Sequence, residues 1–259
     1  MNTGVFLLGI IAVLIYIIAH IVGMLRNGVR SMRFILFGFA MTCALLTFSY
    51  WAIFDLMYED KALPFAANEL GEWALFLLLG AILLNGVPKK RVPLVTEMTA
   101  MAVFVAVNTA LWIYWNGEWV QDIATGLSLG YFLYGLLRQM KYSEKFSRTE
   151  WILLAVSAFA AVGFQLTAVF TGGSAGNISE KAGYAFMIAV MAVIFVLSAK
   201  QLMTEQGSVK GVCLSFSFLA WCTFSMYMSD GVWYLILMVG SYVAIVLMFL
   251  AMRKEVRAT

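Results

Sequence analysis

Apolar residues occur in long blocks along this chain, interrupted by short charged or Gly/Pro-rich stretches. Cutting at those breaks leaves nine segments, at approximately 4 to 25, 34 to 57, 67 to 86, 92 to 115, 119 to 137, 151 to 170, 183 to 203, 208 to 228 and 231 to 252. A helix crossing a hydrocarbon core of about 30 Å needs about 20 mostly apolar residues, and each block approximates that length. The pattern predicts an all-α integral membrane protein: a bundle of nine transmembrane helices, with eight as the alternative, in a single polytopic transmembrane domain over 1–259. The first block is expected to remain as a spanning helix. No basic residue precedes it, and it runs to Met24 without a small-residue cleavage site.

Composition agrees with this pattern, with 63% hydrophobic and 12% charged residues among 259. A soluble domain would carry roughly 45–50% apolar residues and about twice that charge, so the soluble classes are excluded. Cys43, Cys213 and Cys222 all lie inside apolar blocks and His20 is the single histidine, which excludes a disulfide scaffold, a zinc module and a bis-histidine haem within one chain. No phosphate-binding, nucleotide-binding or hydrolase motif occurs in a usable context. No cofactor is expected. Short loops and compact size point to a bacterial plasma (inner) membrane, where the Asn177-Ile178-Ser179 sequon would have no role.

Lys and Arg accumulate in cytoplasmic loops, and under the nine-span cut they fall in every second loop. One side holds 15 of the 17 basic residues, in groups that include Arg26–Arg33, Lys89–Arg91, Arg138–Arg148 and Arg253–Arg257; the other holds Lys61 and Lys181. The N-terminus is therefore expected outside and the C-terminus in the cytoplasm. An eight-span cut would break the alternation. The acids sort oppositely, with Asp55, Glu59, Asp60, Glu69, Glu72, Glu118, Asp122, Glu180 and Asp230 at the outer end, which leaves about −7 outside and +10 inside. The basic half is accounted for by topology rather than by nucleic-acid or specific lipid binding. Helices two to five and six to nine share a pattern of long outer loop, basic inner loop and short outer turn, compatible with a parallel four-helix repeat.

Ionisable residues that length forces into the bilayer are costly and usually line a cavity or pair. Glu72 lies 14 residues before Gly86, which is about 21 Å at 1.5 Å per residue and so about 9 Å below the outer boundary of the core. Asp122 reaches a similar depth, while Asp55 lies at the boundary. Glu69, Glu72, Phe76 and Gly80 share one helical face, and Asp122, Gly126 and Gly130 another. The Gly126-to-Gly130 spacing allows close helix packing and turns Asp122 toward the bundle. Asn108 and Gln165 fall at the same level, with Trp73, Trp112 and Trp119 among the aromatics there. An interfacial belt accounts for most of those aromatics, but it needs no carboxylates. An acidic, aromatic vestibule suits a cationic or amine-bearing solute.

Near the inner boundary lie His20, Glu97 and Lys200, a set that could gate or carry protons, with His20 or Lys200 available to pair Glu97. Lys200 is also placed to snorkel to the headgroups. The pattern favours a transporter or permease for a small cationic or amine-containing solute entering from outside. A membrane-embedded sensor or assembly subunit that binds without translocating is the alternative. A two-carboxylate intramembrane hydrolase using Asp55 and Asp230 is the third reading. Beyond the lipid bilayer and a small solute no partner is implied, and the sequence carries no signal for the oligomeric state.

Overall fold

The computed structural model describes residues 2–27, 31–57, 67–87, 95–143, 146–171, 178–204, 209–227, 229 and 231–258. Among them run nine α-helices and no strand: α1 (Asn2–Asn27), α2 (Met32–Met57), α3 (Ala67–Asn85), α4 (Val95–Asn116), α5 (Trp119–Ser143), α6 (Arg148–Thr171), α7 (Ile178–Thr204), α8 (Val209–Met226) and α9 (Gly231–Ala258). Each coincides with one apolar block. Several continue beyond it, α5 to Ser143 and α9 to Ala258, because a helix does not stop where the hydrocarbon does. Six helices, α1, α2, α4, α7, α8 and α9, are long and apolar enough to cross a membrane. The exteriors of α1, α2, α4 and α7 carry exposed large apolar side chains such as Leu8, Leu46, Val103 and Val196, a surface that matches lipid and not water.

Local signals set two of the helix ends. Between α4 and α5, Gly117 adopts φ +78° and its N–H donates to the Ile113 carbonyl at 2.9 Å, the left-handed stop that a residue with a Cβ resists. At the start of α6, the Glu150 N–H donates to the Ser147 hydroxyl at 3.2 Å. In return the Ser147 N–H donates to the Glu150 carboxylate at 2.7 Å, so two otherwise orphaned amides are satisfied reciprocally.

Neighbouring helices close a ring in the order α1, α2, α3, α5, α4, α6, α7, α9 and back to α1, with α8 inside it against α5, α7 and α9. Gly211 through Ser225 of α8 are all buried, whereas only 11% of the α4 span is. The pairings of the second, third, fourth and fifth helices therefore recur in part, as α6 with α7, α7 with α9 and α8 with α9, but α8 is central where its counterpart α4 is peripheral. Glycines set the closest approaches. A Cβ on Gly135 would lie 2.8 Å from the Gly80 carbonyl oxygen, so α3 and α5 meet backbone to backbone. Gly126 and Gly130 face Thr109 and Val105 of α4 instead.

Contacts between helix ends give the bundle two chemically different poles. At one, Arg33 at the start of α2 donates to the Ile82 carbonyl near the end of α3 at 3.0 Å, and Lys210 at the start of α8 pairs with Glu150 at the start of α6 at 2.6 Å. This is the basic pole. At the other, the starts of α1, α3, α5 and α9 meet the ends of α2 and α8 around a cavity of mixed polar and apolar lining.

Candidate functional site

Helix geometry determines what that cavity presents. The cavity holds about 340 Å³ and takes Trp51 from α2, Glu72 from α3, Gln121 from α5, Thr223 from α8, Tyr227 from the turn directly after α8 and Tyr234 from α9. Tyr227 follows Thr223 by four residues. Among the described residues no Lys or Arg lines it, and Glu72 is its single acid. Behind the wall, Glu69 is 5% exposed and Asp122 0% exposed. Tyr227 lies within electrostatic reach of Glu72, Asp122 and Glu69, and Tyr234 within reach of Glu72. Glu69 and Asp122 stand in the first turns of α3 and α5, where the unpaired N–H groups and the positive end of the helix dipole favour a carboxylate. Helix starts thus explain part of the acid clustering that depth alone assigned to a ligand.

The other outer positions separate. Trp73 donates through Nε1 to the Thr125 hydroxyl at 2.8 Å, tying α3 to α5. Trp112 is buried and stacks on Tyr227 with centroids 4.4 Å apart. Asn108 is buried on α4, donating to the Phe104 carbonyl of its own helix at 2.6 Å, with its Oδ1 unbonded among the described residues. Trp119 is 62% exposed, outside the cavity lining. The side chains of Asp55 and Gln165, and Asp230 altogether, lie outside the described residues.

An aromatic cluster adjoins the cavity through Tyr227, which stacks on Trp112. Phe224, one turn below Tyr227, packs against Trp112 at 5.8 Å and Phe104 at 5.6 Å. Beyond it lies a second cavity, of about 320 Å³, between α4, α5, α6, α7 and α8, and almost wholly apolar.

Glu97, at the start of α4, is 7% exposed and meets α5: Arg138 at 3.5 Å, Lys141, and the Tyr142 hydroxyl at 2.9 Å. The hydrogen bond from Lys141 to Glu97 raises the lysine's pKa above its ordinary value. Neither His20 nor Lys200 takes part in these contacts. His20 is buried against Phe34 with ring centroids 3.8 Å apart, and Lys200 is exposed on α7. Sequence reasoning placed Arg138 in a loop. Its burial follows from the extension of α5 to Ser143, which puts Arg138, Lys141 and Tyr142 at i, i+3 and i+4 on one face. Gln121, Thr223 and Tyr227 also went unassigned, although the i, i+4 spacing of the latter two was readable. Compared with known protein families, curated proteins and solved structures, the chain matches none.

Proposed function

We propose that this membrane protein is a transporter for a small cationic or amine-containing solute, with its binding site in the cavity at the acidic pole. One observation carries the reading: Glu72 opens into a space of about 340 Å³ that holds aromatic and hydroxyl groups and, among the described residues, no base. The volume is at the small end of ligand sites, about 300–1,000 Å³. A cation entering would exchange water for the Glu72 carboxylate, the faces of Trp51, Tyr227 and Tyr234, and the Thr223 hydroxyl. Glu69 and Asp122 add negative potential from behind the wall. Release at the basic pole then requires a path to open below Leu219 and Ile245, the cavity's deepest lining on α8 and α9. A sensor that binds the same solute without moving it is the second reading.

Binding and uptake of a panel of amines and metal cations by purified protein in proteoliposomes test both. Glu72→Gln keeps volume and hydrogen bonding but removes the charge, and should weaken binding at least about tenfold, the effect of losing about 1.4 kcal/mol. Asp122→Asn, farther from the solute, should weaken it less. Binding without uptake selects the sensor. Absence of binding across the panel, or a Glu72→Gln variant that binds as well as wild type, refutes the site.

A further inference from the structure

We propose that the apolar cavity at the basic half of the bundle is a binding site for one acyl chain of an anionic phospholipid from the leaflet at that pole. Its walls come from Met101 and Phe104 of α4, Leu133 and Met140 of α5, Trp151 of α6 and Trp221 of α8. Two hydroxyls, of Ser157 and Ser217, also line it. Both are spent on carbonyls of their own helices, Ser157 on Leu154 at 2.7 Å and Ser217 on Cys213 at 2.8 Å. The Trp221 indole N–H is likewise engaged, on the Met187 carbonyl at 3.3 Å. The space therefore offers almost wholly apolar contact, which fits a hydrocarbon chain and disfavours the polar solute of the other cavity.

Charge at the mouth chooses the headgroup. Met140 is followed at once by Lys141, and Trp151 is preceded one turn earlier by the exposed Arg148. Phe146 packs on Trp151 at 5.9 Å and carries the Lys210 ammonium 5.6 Å above its ring. Arg138 and Lys141 pair with Glu97 and Lys210 with Glu150, while Arg148 is exposed at the start of α6. Positive charge is in excess even after both acids are paired. Basic pockets between helices on the cytoplasmic side recognise anionic headgroups, and here such a rim stands over a chain-sized apolar slot.

The test uses the whole chain, with the six tryptophans other than Trp151 and Trp221 replaced by Phe, in phosphatidylcholine bilayers doped with phosphatidylglycerol brominated on one acyl chain, read by quenching of Trp151 and Trp221. Brominated phosphatidylglycerol should quench more strongly than brominated phosphatidylcholine at equal mole fraction. Arg148→Gln should lower that preference about fivefold, as expected for one base near a charged surface. Ala158→Phe and Ala155→Phe, each adding a ring to the cavity wall, should abolish the saturable part of the quenching while helix content and monodispersity stay as in wild type. Two variants are used so that misfolding of one leaves the other informative. Equal quenching by both lipids with no effect of Arg148→Gln overturns the anionic site. Unchanged saturable quenching in a folded cavity-filling variant overturns the seat of the chain.

Discussion

Glu97 illustrates how one residue binds two helices at the basic pole. Its carboxylate is nearly out of contact with the surroundings, and so is Arg138 at 3% exposure. A buried charge left without its partner costs about 3–5 kcal/mol, whereas replacing both partners by apolar groups is often close to neutral. Glu97→Gln, which strands the buried Arg138, should therefore destabilise the fold on the order of 3 kcal/mol, and Arg138→Gln should cost less, because Glu97 keeps Lys141 and the Tyr142 hydroxyl. The double variant Glu97→Met with Arg138→Met should lose less than Glu97→Gln alone. Denaturant unfolding in detergent, followed by helix content, measures the difference; a double variant weaker than Glu97→Gln would refute the pairing argument. Lys141 is exposed and contributes mainly by closing the carboxylate's remaining acceptor sites. Its raised pKa means that whatever it adds is complete below the ordinary lysine range and is lost as pH rises through the folded value.

At the scale of elements, α6 is held at its start by the Ser147–Glu150 box and by Lys210 reaching from α8. Burial alone would raise the pKa of Glu150, but the hydrogen bonds from Lys210 and from Ser147 outweigh it, and the carboxyl is held below its ordinary value. A folded pKa below the unfolded one gives stability that is complete above the unfolded carboxylate range and drains as pH falls through the folded value. Acid should thus loosen α6 in wild type by an increment that Glu150→Gln no longer shows. Ser147→Ala should cost about 1 kcal/mol at neutral pH by leaving the Glu150 amide without its acceptor. Thermal unfolding of the three proteins across an acid series checks both. Equal acid sensitivity in wild type and Glu150→Gln would remove the assignment.

For the whole molecule, the ring around α8 is what separates two kinds of cavity. Glu72 opens into a space at one pole, and α8 lines both it, through Leu219 and Thr223, and the apolar space at the other, through Ser217, Ala220 and Trp221. Which pole faces the cytoplasm follows from charge, with 15 basic residues on one side against 2. Single cysteines at Lys61→Cys and Gly173→Cys should accept an impermeant maleimide from outside in intact cells. A cysteine appended to the C-terminus should react only after the cells are opened. Labelling of the Gly173 position from the cytoplasm would invert the second half of the bundle.

What the sequence determines is the set of helices, because a 30 Å hydrocarbon layer demands about 20 apolar residues per crossing whatever the neighbours are. Each of the nine blocks lies within one observed helix to within a few residues. Lateral order is a different matter: a lipid-facing and a protein-facing apolar side chain look alike in sequence, since both environments are apolar. Nothing along the chain distinguishes α8 as central from α4 as peripheral. That Gly126 and Gly130 admit α4 while Gly135 admits α3 also depends on which helix happens to lie against α5. The acids follow the same division. Depth arithmetic finds Glu72 and Asp122, but only the packing of α3, α5, α8 and α9 decides that Glu72 faces the cavity while Asp122 stands fully enclosed behind its wall.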